Sequence, residues 1–135
     1  MSANVNIAHN HTPKYGVAGS AAGTINGPSI DTVGYSEATI CLALGNATGT
    51  LDVKVQDSLD GSTGWADIVG AAFVQKTATD DNSADIGMVK LDGNTAKRYI
   101  RIVSTVQATF VADHGVTVLL SNKQYKPDQT PAFTV

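Results

Sequence analysis

With 135 residues, a net charge of −3 and only 16% charged residues, the sequence makes one domain with an unusually neutral surface. Nothing resembles the basic stripe of a nucleic-acid binder, so direct contact with nucleic acid is not expected. No run approaches the ~18 apolar residues of a membrane span, so no membrane partner is expected either.

Residues 1–30 form the first segment. "MSANVNIAHNH" lacks a basic region followed by an apolar run, so it does not read as a secretion signal, and synthesis in a host cytoplasm is expected. The stretch is dense in Gly, Ala, Ser and Asn and shows no sustained period. It therefore predicts an extended arm, with Val5, Ile7, Tyr15, Val17, Ile25 and Ile30 as anchors. On this reading a chain lacking residues 1–20 still folds. His9 and His11 share one segment without a Cys or carboxylate at ligand spacing, so no metal site is expected there.

From Asp31 the pattern becomes β. "EATICLALG" (37–45) is apolar and β-branched enough for a buried strand, and Cys41 reads as a small buried residue within it. As the sole cysteine it can form no intrachain disulfide. "TLDVKVQDS" (50–58) alternates, with Leu51, Val53 and Val55 on one face and Asp52, Lys54 and Gln56 on the other, a half-buried strand.

The acidic stretch "DSLDGSTGWAD" follows. An EF-hand loop starting at Asp57 would need oxygen ligands where Leu59 and Gly61 stand and a glutamate at Ile68, so the calcium pattern fails. Asp60-Gly61 is instead a turn signal, because glycine accepts positive φ and aspartate bonds its own backbone. Trp65, the only tryptophan, then opens the returning strand and is expected to pack at one end of the domain rather than serve as a sugar platform.

Further strands are predicted at 71–77, 87–91, 98–104, 106–112 and 114–120. They are separated by turn signals, including the loop "TDDNSAD" (79–85), a candidate tip for touching another subunit. "NTAK" (94–97) has room for one helical turn. Short strands without a convincing helix indicate an all-β fold, an antiparallel sandwich or jelly roll, over residues 31–120. Residues 121–135 carry Pro127 and Pro131 and read as an extended C-terminal tail, with Phe133 and Val135 as apolar anchors.

No catalytic constellation is legible. There is no nucleophile elbow, phosphate loop or paired-histidine zinc motif, and Glu37 is the only glutamate. No enzyme activity, cofactor or metal is expected.

"GTLDVKVQDSLDGSTGWADI" followed by "KRYIRIVST" resembles a recurring segment of tailed-phage virion proteins. Val53, Val55, Gln56, Ser58, Asp60, Gly61, Trp65, Asp67 and Ile68 carry the first part, and Arg98, Tyr99, Ile100 and Arg101 the second. Among those proteins the chain is most similar to head-decoration (cement) proteins with a jelly-roll fold. The resemblance implies a structural protein on the outer surface of an icosahedral capsid. Its partners would be the major capsid protein and itself, as a homodimer or homotrimer. Val5, Ile7, Tyr15, Tyr125 and Phe133 are the expected contact residues. The alternatives from other classes are a carbohydrate-binding module used in host attachment and a tail or baseplate component.

Overall fold

A computed structural model describes residues 11–91 and 96–122, and these form an all-β sandwich. The strands are β1 (His11–Gly19), β2 (Gly23–Asn26), β3 (Ile30–Asp31), β4 (Glu37–Ala47), β5 (Leu51–Ser58), β6 (Ala66–Ala72), β7 (Ser83–Lys90), β8 (Tyr99–Val106) and β9 (Ala112–Ser121). Sheet A runs β1-β9-β4-β7 and sheet B runs β2-β8-β5-β6, with β3 also on β8. Every strand pair is antiparallel. Since β2 and β3 act as one interrupted strand, the chain repeatedly crosses between the sheets and pairs its start with its end. That wrapping is a jelly roll.

The core lies between the sheets and follows the period-2 alternation of the strands. Ala38, Ile40, Leu42 and Leu44 of β4 face Leu51, Val53 and Val55 of β5 and Ile100, Ile102 and Val106 of β8, while Val116, Val118 and Leu120 of β9 complete the layer. Each large side chain so buried contributes roughly 1.5–3 kcal/mol. The alternation expected for β5 holds, with Asp52, Lys54 and Gln56 on the outer side.

Residues 11–31 differ from the expected arm. They supply β1, which pairs with β9 from His11↔Ser121 to Gly19↔His114, and β2 and β3, which pair with β8. Val17 and Ile30 are core residues and Ile25 packs against the core. A chain lacking residues 1–20 therefore loses a whole strand of sheet A. The glycines that suggested an arm have a packing cause. A Cβ on Gly27 would stand 2.0 Å from the Gly16 carbonyl oxygen, and one on Gly16 would stand 2.7 Å from the Val116 carbonyl oxygen. Here backbone meets backbone, and only glycine fits.

Other boundaries move for a reason of topology. The run read as strands at 98–104 and 106–112 must leave sheet B and enter sheet A, so it breaks into β8, a turn at 107–111 with Thr109 at φ 69°, and β9. The strand expected at 71–77 lies at 66–72, returning beside β5 directly after Trp65. The loop at 79–85 is shorter than expected, since a 3-10 turn occupies Ala78–Asp80 and β7 already begins at Ser83. Half of "NTAK" (Asn94 and Thr95) and the tail beyond residue 122 lie outside the described residues.

Candidate functional site

The acidic turn is a self-contained knot of hydrogen bonds. Asp60 Oδ1 accepts the backbone N–H of Ser62 at 2.9 Å and of Thr63 at 2.8 Å, and Oδ2 accepts the Thr63 hydroxyl at 2.8 Å. Ser58 Oγ accepts the N–H of Gly61 at 3.1 Å. These donors hold the Asp60 carboxyl far below the usual carboxylate range, the Thr63 and Ser62 N–H groups foremost. A carboxylate so engaged orders the β5–β6 hairpin and has little left to offer a cation. Gly61, at φ +77°, lies close over the Tyr99 ring, where a Cβ would stand 2.9 Å from Cδ1. Among the described residues no three His, Cys, Asp or Glu side chains converge as metal ligands.

Trp65 sits on the outer side of sheet B, not at an end of the core. It has the parity of Asp67, while Ile68 points inward. The Arg101 guanidinium lies 4.5 Å from its ring centroid, and Arg101 Nε donates to Gln56 Oε1 at 2.9 Å. Gln56 Nε2 in turn donates to Asp67 Oδ1 at 2.8 Å, where Lys54 Nζ closes the row at 3.0 Å. Gln56 first, then Lys54, lowers the Asp67 carboxyl. The outer side of sheet B is thus a polar face whose charges answer one another, with Trp65 half-buried in it.

The core contains one Ser–His hydrogen bond of catalytic type. His114 Nε2 lies 2.9 Å from Ser104 Oγ, bridging β9 and β8 across the sandwich. His114 Nδ1 lies 2.7 Å from the Ala112 carbonyl oxygen. That carbonyl only accepts, so Nδ1 donates, and in the neutral ring Nε2 accepts from the Ser104 hydroxyl. Ser104 is fully buried between the sheets, where no substrate reaches it. The pair fastens the layers together and satisfies two buried polar groups.

The outer side of sheet A has the opposite character to sheet B. Strand register sets its side chains in three rows: Pro13, Leu119, Thr39 and Met88; Tyr15, Thr117, Cys41 and Ile86; Ala18, Gly115, Ala43 and Ala84. None is charged. The second and third rows make a shallow trough with small residues along its floor, Asp85 in its lining and Tyr15, 61% exposed, standing at one side. Cys41 belongs to this face and not to the core, a correction that follows from parity, because Ile40 and Leu42 on either side are the inward residues. Partial burial raises its thiol above the usual value.

Of the expected contact residues, Tyr15 is on this face, whereas Val5, Ile7, Tyr125 and Phe133 lie outside the described residues. The residues that the sequence reading missed, Thr39, Ala43, Ile86, Met88 and Thr117, are individually unremarkable. Their signal is collective, namely alternate uncharged positions in strands that become neighbours only through the sheet order. His11 opens β1, and its Nδ1 is buried without a hydrogen-bond partner; His9 is outside the described residues. The chain matches no protein-family model and no curated protein.

Proposed function

We propose that this protein is a structural component of a phage virion, a capsid cement protein that sits on the outer surface of an icosahedral head and stabilises it by bridging capsid subunits. The observation that carries this reading is the asymmetry of the sandwich: an outer face on sheet A whose middle rows carry no charge, with Glu37 and Lys90 at one end and Asp113 at the other, and a polar, internally bonded face on sheet B. An uncharged face loses little on desolvation, so it suits permanent contact with another protein, while the polar face suits solvent. A capsid offers many copies of one site, so modest contacts add up through multivalency. The partners are the major capsid protein and further copies of this chain, with no catalytic step and no cofactor.

Cosedimentation with matching heads that lack the protein, expanded and unexpanded in parallel, tests the proposal. Saturable binding to expanded heads at a fixed ratio to the shell protein is the expected result, and Ala43→Asp, at the floor of the trough, abolishes it without unfolding the domain. Absence of binding to either head form overturns the reading.

Carbohydrate binding in host attachment is the second reading, because Trp65 stacks against Arg101, which bonds Gln56 in the polar row of sheet B. It needs a free ring face, and Arg101 already covers one. A tryptophan emission shift on a glycan panel, with no binding to heads, would favour it over the first.

A further inference from the structure

The two sheets present four edges, and three of them resist pairing with another strand. β1 contains Pro13 and a bulge between Tyr15 and Val17. β6 is bulged opposite Lys54–Gln56 and carries Gly70 at φ +82°. The edge beside β8 is split into β2 and β3 with Pro28 between them. β7 is the exception. Its eight residues pair with β4 in unbroken register from Glu37↔Lys90 to Leu44↔Ser83, and it contains no proline.

The direction of its free backbone groups follows from the ladder. Leu91 N–H bonds the Ser36 carbonyl at 2.8 Å, so odd-numbered residues of β7 face β4 and Ala84, Ile86, Met88 and Lys90 turn their N–H and C=O groups to the open edge. The guard found there is Asp85, whose Oδ1 accepts the Ile86 N–H at 2.9 Å while Oδ2 holds Lys76 at 2.8 Å. It covers one donor at the middle of the edge.

From this edge we infer that two copies of the chain join through antiparallel β7–β7 pairing about a two-fold axis at Ile86, extending sheet A across both copies. The axis sets Ile86 against its own copy, Ala84 against the second copy's Met88, and Lys90 against the second copy's Asn82. Ala84, Ile86 and Met88 are edge-facing, so their pairs form backbone hydrogen bonds, and the ladder ends there because the Asn82 N–H is already held by the Gly45 carbonyl at 2.8 Å. Charge selects this register. Lys90 is exposed at one end of β7, and Asp81 is exposed just before the other end, so the two-fold brings each lysine beside the opposite acidic loop. A shift of two residues the other way would centre the axis on Asp85 and oppose like charges. Asp85 releases the Ile86 N–H in the dimer and keeps Lys76. The axis stands perpendicular to the sheet, so the outer faces of sheet A in both copies lie on the same side. The inference rests on the β7 edge and not on the capsid reading.

Sedimentation velocity of the full chain, from micromolar to near-millimolar concentration, tests it. The expected result is a reversible monomer–dimer equilibrium. Ile86→Pro removes an N–H that the β4 ladder does not use, so the domain keeps its melting temperature while the dimer is lost. Lys90→Glu weakens association roughly tenfold, through two symmetric contacts, and adding Asp81→Lys restores it. A chain that stays monomeric throughout, a trimer, or a dimer indifferent to both Ile86→Pro and Lys90→Glu overturns the inference. A monomer that still saturates expanded heads overturns it while leaving the capsid reading intact.

Discussion

Asp60 and Asp31 show how single carboxylates shape this molecule's response to pH. Arg98 grips Asp31 in a two-pronged contact, Nε to Oδ1 at 2.9 Å and Nη2 to Oδ2 at 2.8 Å, fastening β3 to the start of β8. That hydrogen bonding, with the Val33 N–H, lowers the Asp31 carboxyl to about 2. A group whose folded pKa is depressed stabilises the fold fully above its unfolded value and loses that contribution as pH falls through the folded value. For Asp31 the window runs from about pH 4 down to about pH 2, and for Asp60 it extends lower still. Acid titration of the melting temperature should therefore show a falling limb in this range, flatter in Asp31→Asn and in Asp60→Asn. Equal limbs in all three proteins would mean that these contacts do not persist in solution. His114→Ala leaves a cavity and strands the Ser104 hydroxyl, with an expected loss of about 2–4 kcal/mol measured by chemical denaturation.

Among the elements, β1 and β2 depart furthest from the expectation drawn from composition. A segment rich in Gly, Ala and Ser reads as an arm because it lacks the bulky residues that mark a core. In this sandwich the same scarcity is what lets β1 cross into β2 with Gly27 against the Gly16 carbonyl. Gly27→Ala should therefore destabilise the domain by about 1–3 kcal/mol or prevent folding, an effect that a free arm would not show and that a thermal melt reads directly. The β5–β6 hairpin is the opposite case. Its alternation, its Asp-Gly turn and its tryptophan are local, and all were legible at 50–68. What local reasoning could not give was the side of the sheet that Trp65 occupies, since Arg101, the residue that stacks on it, comes from β8.

At the scale of the whole molecule, the contrast between the two outer faces matters more than any one residue. Cys41 offers a direct probe of the sheet A face, because it lies in its uncharged middle, in the Tyr15–Thr117–Cys41–Ile86 row. Its raised thiol pKa means less thiolate near neutral pH, so a thiol reagent should modify it more slowly than free cysteine, with the rate still rising as pH is increased past the ordinary thiol range. Protein carrying a bulky maleimide at Cys41 should keep its far-ultraviolet spectrum and fail to bind expanded heads. Full binding by the labelled protein would move the contact surface away from sheet A.

Strand alternation alone determined that this chain is all-β, and it determined which residues of β5 face the core, because a period of two is written directly into neighbouring positions. The absence of a charge run and the Asp60–Gly61 turn were equally local facts. Sheet order was not. Pairing β1 with β9 and β4 with β7 joins positions far apart in the chain, and only that pairing turned Tyr15, Cys41, Ala43, Ile86 and Thr117 into one surface. It also decided which edge stays unpaired among the described residues. Hydrogen-bonding partners in a sheet are chosen by the closing of the core as a whole, and no window of sequence contains both members of such a pair.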